Sequence, residues 1–170
     1  QRNKGNYKIF RKGDKMRKTK IEQEILRLET KIKYLTKRNK KLIENVIDGA
    51  IKEGIYVIID WHAHEIHTQE AKVFFTEMSK KYGKHPNIIY EIYNEPVKES
   101  WEQVKNYSEE IIAEIRKNDP DNLILVGCPE WDQRIDLVQQ NPIQNPKNIM
   151  YTVHFYAGTH KENIRNKIST

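Results

Sequence analysis

Apolar positions along this chain follow two periods, one typical of buried strands and one typical of helices. Short runs of apolar, β-branched and aromatic residues indicate strands that are buried on both faces, as in a parallel sheet. Apolar positions spaced by three and four residues indicate helices between those runs. The predicted strands cover residues 55–60, 88–93, 123–127 and 149–155, and the predicted helices cover residues 40–53, 70–82, 101–117 and a shorter stretch near 133–139.

The predicted strands recur at a regular interval. They start near residues 55, 88, 123 and 149, with separations of 33, 35 and 26 residues. A (β/α)₈ barrel of roughly 250 residues allots about 31 residues to each unit, so the interval fits that fold. An open, doubly wound α/β sheet fits the interval as well. The polar residues at the strand ends favour a partial (β/α)₈ TIM barrel of four to five units, and such a count predicts a truncated chain.

Residues 1–35 do not share this interval and are predicted to form a separate basic arm. The arm is either one amphipathic, Lys-rich helix, a short coiled coil, or a stretch without a native fold. An apolar stripe runs through the arm and continues past it. Its spacings alternate between four and three residues, with Asn39 at the position between the last two members. The members are Ile21, Ile25, Leu28, Ile32, Leu35 and Leu42. Residues 36–170 are predicted to form the barrel domain.

Charge is concentrated in the N-terminal part of the chain. Residues 1–41 carry 16 Lys/Arg against 4 Asp/Glu, whereas residues 42–170 carry 14 against 20. The barrel part is therefore mildly acidic and gives no reason to expect nucleic acid. A basic helical module in residues 1–41 that binds acidic partners or nucleic acid remains an alternative function.

Composition excludes several other classes. Hydrophobic residues make up 37% and charged residues 32% of the 170 residues, which suits a domain with a sizeable core. No apolar stretch reaches the length of a membrane span, and the first twenty residues lack the apolar region of a signal peptide. Cys128 is the only cysteine, so no internal disulfide can form.

The most informative motif is Asn94-Glu95-Pro96 at the end of the predicted strand 88–93. Pro96 lacks the N–H that a continuing ladder needs, so the strand ends there. A carboxylate at the carboxyl end of a buried barrel strand lies where barrels carry their chemistry. Glu95 is thus placed to protonate a leaving oxygen, as hydrolysis of a glycosidic bond requires. A loop carboxylate that caps the next turn is the structural alternative.

Other strand ends carry comparable residues. His154 and Tyr156 are separated by one residue and project to the same side of an extended chain. Trp131 follows another strand, where it could stack on a sugar or pack internally. His62, His64 and His67 invite a metal site, but their spacing does not match the helical zinc-protease motif. We therefore predict no metal and no cofactor, and we interpret His64 and His67 as loop residues near the cleft.

The strand-end motifs together resemble glycoside hydrolase family 5, the family of retaining cellulases, and most of all its bacterial endoglucanases. The resemblance covers roughly residues 34–170. It rests on the segments Gly54-Ile-Tyr-Val-Ile-Ile-Asp-Trp-His62, Glu70-Ala-Lys-Val-Phe-Phe75, Tyr82-Gly83, Pro86-Asn-Ile-Ile-Tyr-Glu-Ile-Tyr-Asn-Glu-Pro96, Asn118-Asp-Pro-Asp-Asn122 and Met150-Tyr-Thr-Val-His-Phe-Tyr-Ala-Gly-Thr159.

The resemblance implies a role for each matched residue. Glu95 would be the general acid/base, and Asn94 would contact the 2-hydroxyl of the sugar at the cleavage site. His62 and His154 would line the same subsite. Tyr156 would orient the nucleophile, and Trp131 would lie near the leaving-group side of the substrate.

It also implies the substrate, a β-1,4-glucan cleaved internally with retention, and an extracellular location. Mannan and xylan stay open as substrates, and no membrane or obligate protein partner is expected. The family's nucleophile is a Glu in a Thr-Glu-Trp-Gly-like segment that these 170 residues do not contain. We therefore expect little turnover from this chain, and a non-catalytic fragment or pseudo-enzyme is the main alternative.

Overall fold

The computed structural model describes residues 12–168 except residue 146, so the first eleven residues of the predicted arm lie outside it. By its contacts the chain divides between residues 49 and 50 into two compact units. The elements are α1 (Lys12–Glu53), β1 (Val57–Asp60), α2 (Thr68–Tyr82), β2 (Ile88–Glu91), α3 (Trp101–Arg116), β3 (Leu123–Val126), α4 (Pro129–Asp132), α5 (Ile135–Gln140), β4 (Ile149–Tyr151) and α6 (Glu162–Ile168).

Helix α1 extends the predicted helix 40–53 back to Lys12. The described part of the predicted arm is therefore helical. Three members of its apolar stripe, Ile25, Leu28 and Leu42, are exposed, and the coiled coil stays a prediction. None of the helices within residues 12–168 combines the length and the apolar character needed to cross a membrane.

The second unit contains a sheet of four parallel strands in the order β1-β2-β3-β4. Each strand neighbours the next one along the chain, as in successive units of a β/α barrel. The register pairs Ile59 with Tyr90 and Tyr90 with Ile124. The carboxyl ends of all four strands consequently lie at the same edge of the sheet.

The two faces of the sheet differ in burial. The face that carries Tyr90, Ile124 and Val126 is fully buried beneath helices. On the opposite face, Ile58 is 50% exposed and Met150 is 56% exposed. The expectation of strands buried on both faces is therefore wrong for β1 and β4. In a β/α barrel this face points to the interior, where side chains of the other strands cover it, and the sheet described here has four strands.

Helices α2 and α3 pack against each other and cover the buried face. In α2, Phe75 makes an edge-to-face contact with Tyr90 of β2 at 6.2 Å between ring centroids. In α3, the Tyr107 hydroxyl donates to the carbonyl of Ile92 at 2.6 Å. Helix α3 begins with a capping box, in which Ser100 and Gln103 each satisfy the other's backbone N–H.

A buried carboxylate, Asp119, organises the loop between α3 and β3. It accepts a hydrogen bond from the Tyr90 hydroxyl at 2.8 Å, which ties the loop to β2. It also accepts the backbone N–H groups of Asp121 and Asn122 and the Asn122 side-chain amide. With four donors, the cost of burying this charge is offset by hydrogen bonds.

We expect Asp119→Ala to destabilise the protein more than Tyr90→Phe does. Tyr90→Phe removes one of four donors and should cost about 1 kcal/mol, whereas Asp119→Ala leaves a buried hydroxyl and the loop N–H groups without their acceptor and should cost about 3 kcal/mol. Urea unfolding measures both changes, with the exposed Tyr56→Phe as the control. Equal losses for the two variants would contradict this role for Asp119.

Candidate active site

Backbone hydrogen bonds continue beyond the ends of the strands and hold the following segments side by side. The N–H of Trp61 donates to the carbonyl of Glu91 at 2.9 Å, and the N–H of Asn94 donates back to Trp61 at 3.3 Å. On the other side of the sheet, the N–H of Thr152 donates to Val126 at 3.0 Å. The polar segments after the strands are thereby gathered at one edge, as predicted for a barrel.

Glu95 follows β2, an inner strand of the sheet, and its side chain is 28% exposed. Its Oε1 lies 2.9 Å from Nδ1 of His154, within hydrogen-bond distance. Its Oε2 lies 4.0 Å from Nδ1 of His64, whose ring also approaches the Glu95 carbonyl at 3.4 Å. The carboxylate therefore faces two imidazoles.

An open cavity of about 730 Å³ lies in front of Glu95. Two aromatic side chains present accessible faces to it, since Trp131 is 49% exposed and Tyr156 is 77% exposed. Of the two alternatives for Trp131, the structure favours the accessible platform over internal packing. The cavity is lined by Glu95, Trp131, Gln133, Val153, His154, Phe155, Tyr156 and His160.

The turn that positions Trp131 has an unusual backbone. Glu130, Trp131 and Asp132 have φ angles of 57°, 56° and 58°, in the left-handed region that non-glycine residues avoid. The turn is held by hydrogen bonds from the N–H of Trp131 to the carbonyl of Pro96 at 2.9 Å and from the N–H of Cys128 to the Asp132 carboxylate at 2.7 Å. Strain of this kind is often found at functional sites.

Gly127 permits the close packing around this turn. A Cβ atom at this position would lie 2.8 Å from Oδ1 of Asp132 and 2.8 Å from the carbonyl oxygen of Tyr93. Any larger residue would push apart the segments that follow β2 and β3. The glycine is therefore required by space.

Asp132 and His154 form a pair of titratable side chains behind Glu95. Asp132 is buried, and its Oδ2 lies 3.5 Å from Nε2 of His154. Burial raises the pKa of Asp132 from its ordinary 3.8 to about 7, although hydrogen bonds from Thr152 and Cys128 and the charge of His154 lower it. Burial by itself lowers the pKa of His154, but the hydrogen bond with Glu95 and the charges of the nearby carboxylates outweigh it, so this pKa is raised.

His62 and Asn94 do not line the first cavity. Nδ1 of His62 lies 2.7 Å from Oδ2 of Asp60, and the ring lines a second cavity of about 530 Å³ together with His64. Asn94 is buried beside Glu95 in the chain. The structure thus brings four of the six predicted residues, Glu95, His154, Tyr156 and Trp131, to the first cavity.

The sequence interpretation did not include Asp132 and His160, and it treated His64 as a loop residue near the cleft. Asp132 directly follows Trp131 at a strand end, so the rule that carboxyl ends converge could have identified it. The N–H of Glu95 donates to the carbonyl of Ala63, next to His64, at 3.5 Å, and spacing along the chain does not predict this contact between two segments. The described residues form no cluster of three or more metal-ligating side chains.

Comparison with known proteins agrees with the family resemblance that the sequence motifs indicated. The family model described as cellulase (glycosyl hydrolase family 5) matches residues 18–169. The chain belongs to glycosyl hydrolase family 5. The matched range includes residues 18–35 of the predicted arm, and the predicted domain boundary at residue 35 stays a prediction.

Several relatives in this family are named as endoglucanases. Endoglucanase Z of Dickeya dadantii is 54% identical over 132 residues, which are 76% of this chain and 31% of the relative. Endoglucanase A of Evansella cellulosilytica is 45% identical over 137 residues, which are 76% of this chain and 28% of the relative. The family 5 chain thus spans about a third of the length of these relatives.

Solved structures confirm the barrel fold. A Cytophaga hutchinsonii structure superposes with a TM-score of 0.72 at 49% identity, covering 75% of this chain and 42% of the other. The catalytic domain of a Thermobifida fusca endoglucanase gives 0.71 at 38% identity, covering 76% and 46%. A variant of that domain, solved in complex with cellotetraose, gives 0.70 at 38% identity, covering 75% and 46%. The family 5 chain is a partial (β/α)₈ barrel.

We expect the stability of this family 5 chain to fall as the pH rises from about 5 to 8. The folded-state pKa values of Asp132 and His154 are both raised, so the folded state binds more protons than the unfolded state in this window. The contribution of Asp132 is complete below its unfolded pKa near 3.8 and is lost as the pH rises through about 7. Asp132→Asn should therefore flatten the decline.

Thermal unfolding between pH 5 and 8 measures this effect. The decline should be smaller in Asp132→Asn by at least about 3 °C, because one pKa unit corresponds to about 1.4 kcal/mol and each kcal/mol moves the midpoint of a chain of this size by about 2–4 °C. The exposed Asp121→Asn serves as the control and should follow the parent. Parallel curves for the parent and Asp132→Asn would refute the prediction.

Proposed function

We propose that this chain supplies the acid/base half of an endoglucanase active site that cleaves internal β-1,4-glucan bonds. The observation that carries the proposal is the 2.9 Å contact between Glu95 and His154 in an open cavity with an accessible Trp131. A half-buried carboxyl group with an imidazole on one oxygen is equipped to hold a proton and to release it. An accessible indole beside it offers an apolar face to a sugar ring.

The reaction in a complete site would be a retaining double displacement. A second Glu would attack the anomeric carbon while Glu95 protonates the leaving glycosidic oxygen. Glu95 would then take a proton from the water that releases the product. The two carboxylates need to be about 5–5.5 Å apart for this reaction.

The other carboxylates near Glu95 have different surroundings. Asp132 is buried and accepts hydrogen bonds from Thr152 and Cys128, so its oxygens are engaged. Glu91 lies in β2, and burial together with the charge of Asp60 raises its pKa. The surroundings of Asp132 favour a structural role, and neither group lies in a segment that matches the family's Thr-Glu-Trp-Gly-like nucleophile segment.

The proposed substrate is a β-1,4-glucan. Two observations support it: the relatives are named endoglucanases, and one solved relative holds cellotetraose. We further propose that Asn94 and His62 contact the sugar, that Tyr156 orients the nucleophile, and that Trp131 stacks on the leaving-group side. An extracellular location belongs to the same proposal.

We expect the chain to bind cellohexaose weakly and Trp131→Ala to bind it at least about twofold more weakly still. The reason is the loss of an aromatic contact worth roughly 0.5–1.5 kcal/mol. Calorimetric or NMR titration measures this, with mannohexaose and xylohexaose as competing substrates. Tyr56→Ala is the matched control because Tyr56 is an exposed aromatic before the amino end of β1. Equal binding by parent and Trp131→Ala would rule out the proposed platform.

We expect the 170-residue chain to release no more reducing ends from carboxymethylcellulose than its Glu95→Gln variant. Without a nucleophile the covalent intermediate cannot form, and removal of such a group typically costs several orders of magnitude in rate. The two proteins are assayed side by side at equal concentration. A Glu95-dependent signal clearly above the variant would show that the chain carries its own nucleophile.

A further inference from the structure

Asp132 does not line the cavity and has no role in the proposed reaction, yet three groups contact its buried carboxylate. Its Oδ1 accepts the N–H of Cys128 at 2.7 Å, and its Oδ2 accepts the Thr152 hydroxyl at 2.7 Å. The same Oδ2 lies 3.5 Å from Nε2 of His154. The backbone joins the two residues as well, since the N–H of His154 donates to the Asp132 carbonyl at 3.2 Å.

We propose that Asp132 is a positioning residue, which holds the Nε2 edge of His154 so that Nδ1 faces the carboxyl group of Glu95. The inference rests on the proposed function, because it assigns a task to the Glu95–His154 contact. The imidazole lies between two carboxyl oxygens, at 2.9 Å on the Nδ1 side and 3.5 Å on the Nε2 side. Contacts of this kind are often long without substrate and shorten when it binds.

This arrangement determines which proton can move. When Glu95 is ionised, a charged His154 presents one N–H to each carboxylate. When Glu95 holds the proton, His154 is neutral. Its Nδ1 then carries a lone pair that accepts from Glu95, and its hydrogen stays on Nε2, on the side of Asp132. Only the proton between Nδ1 and Oε1 changes place, so the step needs no further donor or acceptor. A third group that orients the base is the general arrangement of such sites.

Other charged groups also act on this pair. Glu91 at the end of β2 lies close enough to influence both His154 and Asp132. Asp60 and His62 in turn act on Glu91. Asp132 differs from these groups because its carboxylate lies at the Nε2 edge of the imidazole.

The fold accommodates Asp132 at a cost. Its φ of 58° is in the left-handed region, which Asp tolerates better than most residues, and Gly127 makes room for its carboxylate. A purely structural role would be to cap the turn through the N–H of Cys128. Asn at this position keeps an oxygen for that N–H and a donor towards Thr152, but it loses the charge that faces His154.

Histidine side-chain NMR on the full 170-residue chain separates the two roles. The signals of nitrogen-15-labelled protein are followed from pH 5 to 9, and His154 is assigned from its loss in His154→Gln. We expect Asp132→Asn to lower the midpoint of the His154 titration by about 1 pH unit, the size expected for a lost opposite charge within about 4–6 Å. Asp136→Asn removes a nearby charge that is paired with Arg134 and should leave the midpoint within about 0.3 of the parent.

A midpoint in Asp132→Asn that equals the parent value would overturn the proposal and leave Asp132 as a cap. If Asp132→Asn does not fold, Glu95→Gln decides instead. In that variant neutral His154 should carry its hydrogen on Nε2, and a hydrogen on Nδ1 would overturn the proposal. Neither readout needs sugar, so failure of cellohexaose binding would count against the proposed function and would not alter this result.

Discussion

Parallel backbone hydrogen bonding that continues past the strand ends is the constraint on which the site depends. The strands themselves are only three or four residues long. Beyond them, Trp61, Asn94, Thr152 and His154 still donate backbone N–H groups to the neighbouring segment. Without these bonds the segments would be free loops, and Glu95 could not be held 2.9 Å from a side chain that lies 59 positions away in the chain. Catalytic geometry of this accuracy requires a rigid support.

The second determinant is the burial of the side chains behind the cavity, away from water. Asp132 is fully buried and His154 is partly buried, so the field between them is screened less than it would be in water. Burial raises the pKa of Asp132, and although burial by itself lowers the pKa of His154, the hydrogen bond with Glu95 and the charges of the nearby carboxylates raise it. The same burial makes the pair costly to ionise, and four polar contacts through Cys128, Thr152, Glu95 and the His154 backbone compensate for that cost.

Several parts of the fold could be predicted from the sequence for local reasons. The strands were identified because their residues are mostly apolar, β-branched or aromatic, and three of them are closed by Asp60, Pro96 or Gly127. Helices α2 and α3 were identified because their apolar positions recur at helical spacing. The turn 129–132 and helix α6 were not predicted, because three successive left-handed residues without a glycine have no local signal and α6 is short and polar. Burial of both sheet faces was predicted wrongly for β1 and β4, because the inner face of a barrel is covered by side chains of the other strands, and the local pattern of one strand does not report how many strands are present.

The sequence by itself determined the alternation of strands and helices, the family, and the position of Glu95 at a strand end. These properties follow from periodicity and from motifs of adjacent residues. Only the tertiary structure decided that His154 and His64, and not His62, approach the Glu95 carboxylate, and that Asp132 lies behind His154. Distances between residues on different strands depend on register and on the path of each following segment, and neither quantity is encoded in the spacing of residues along one strand.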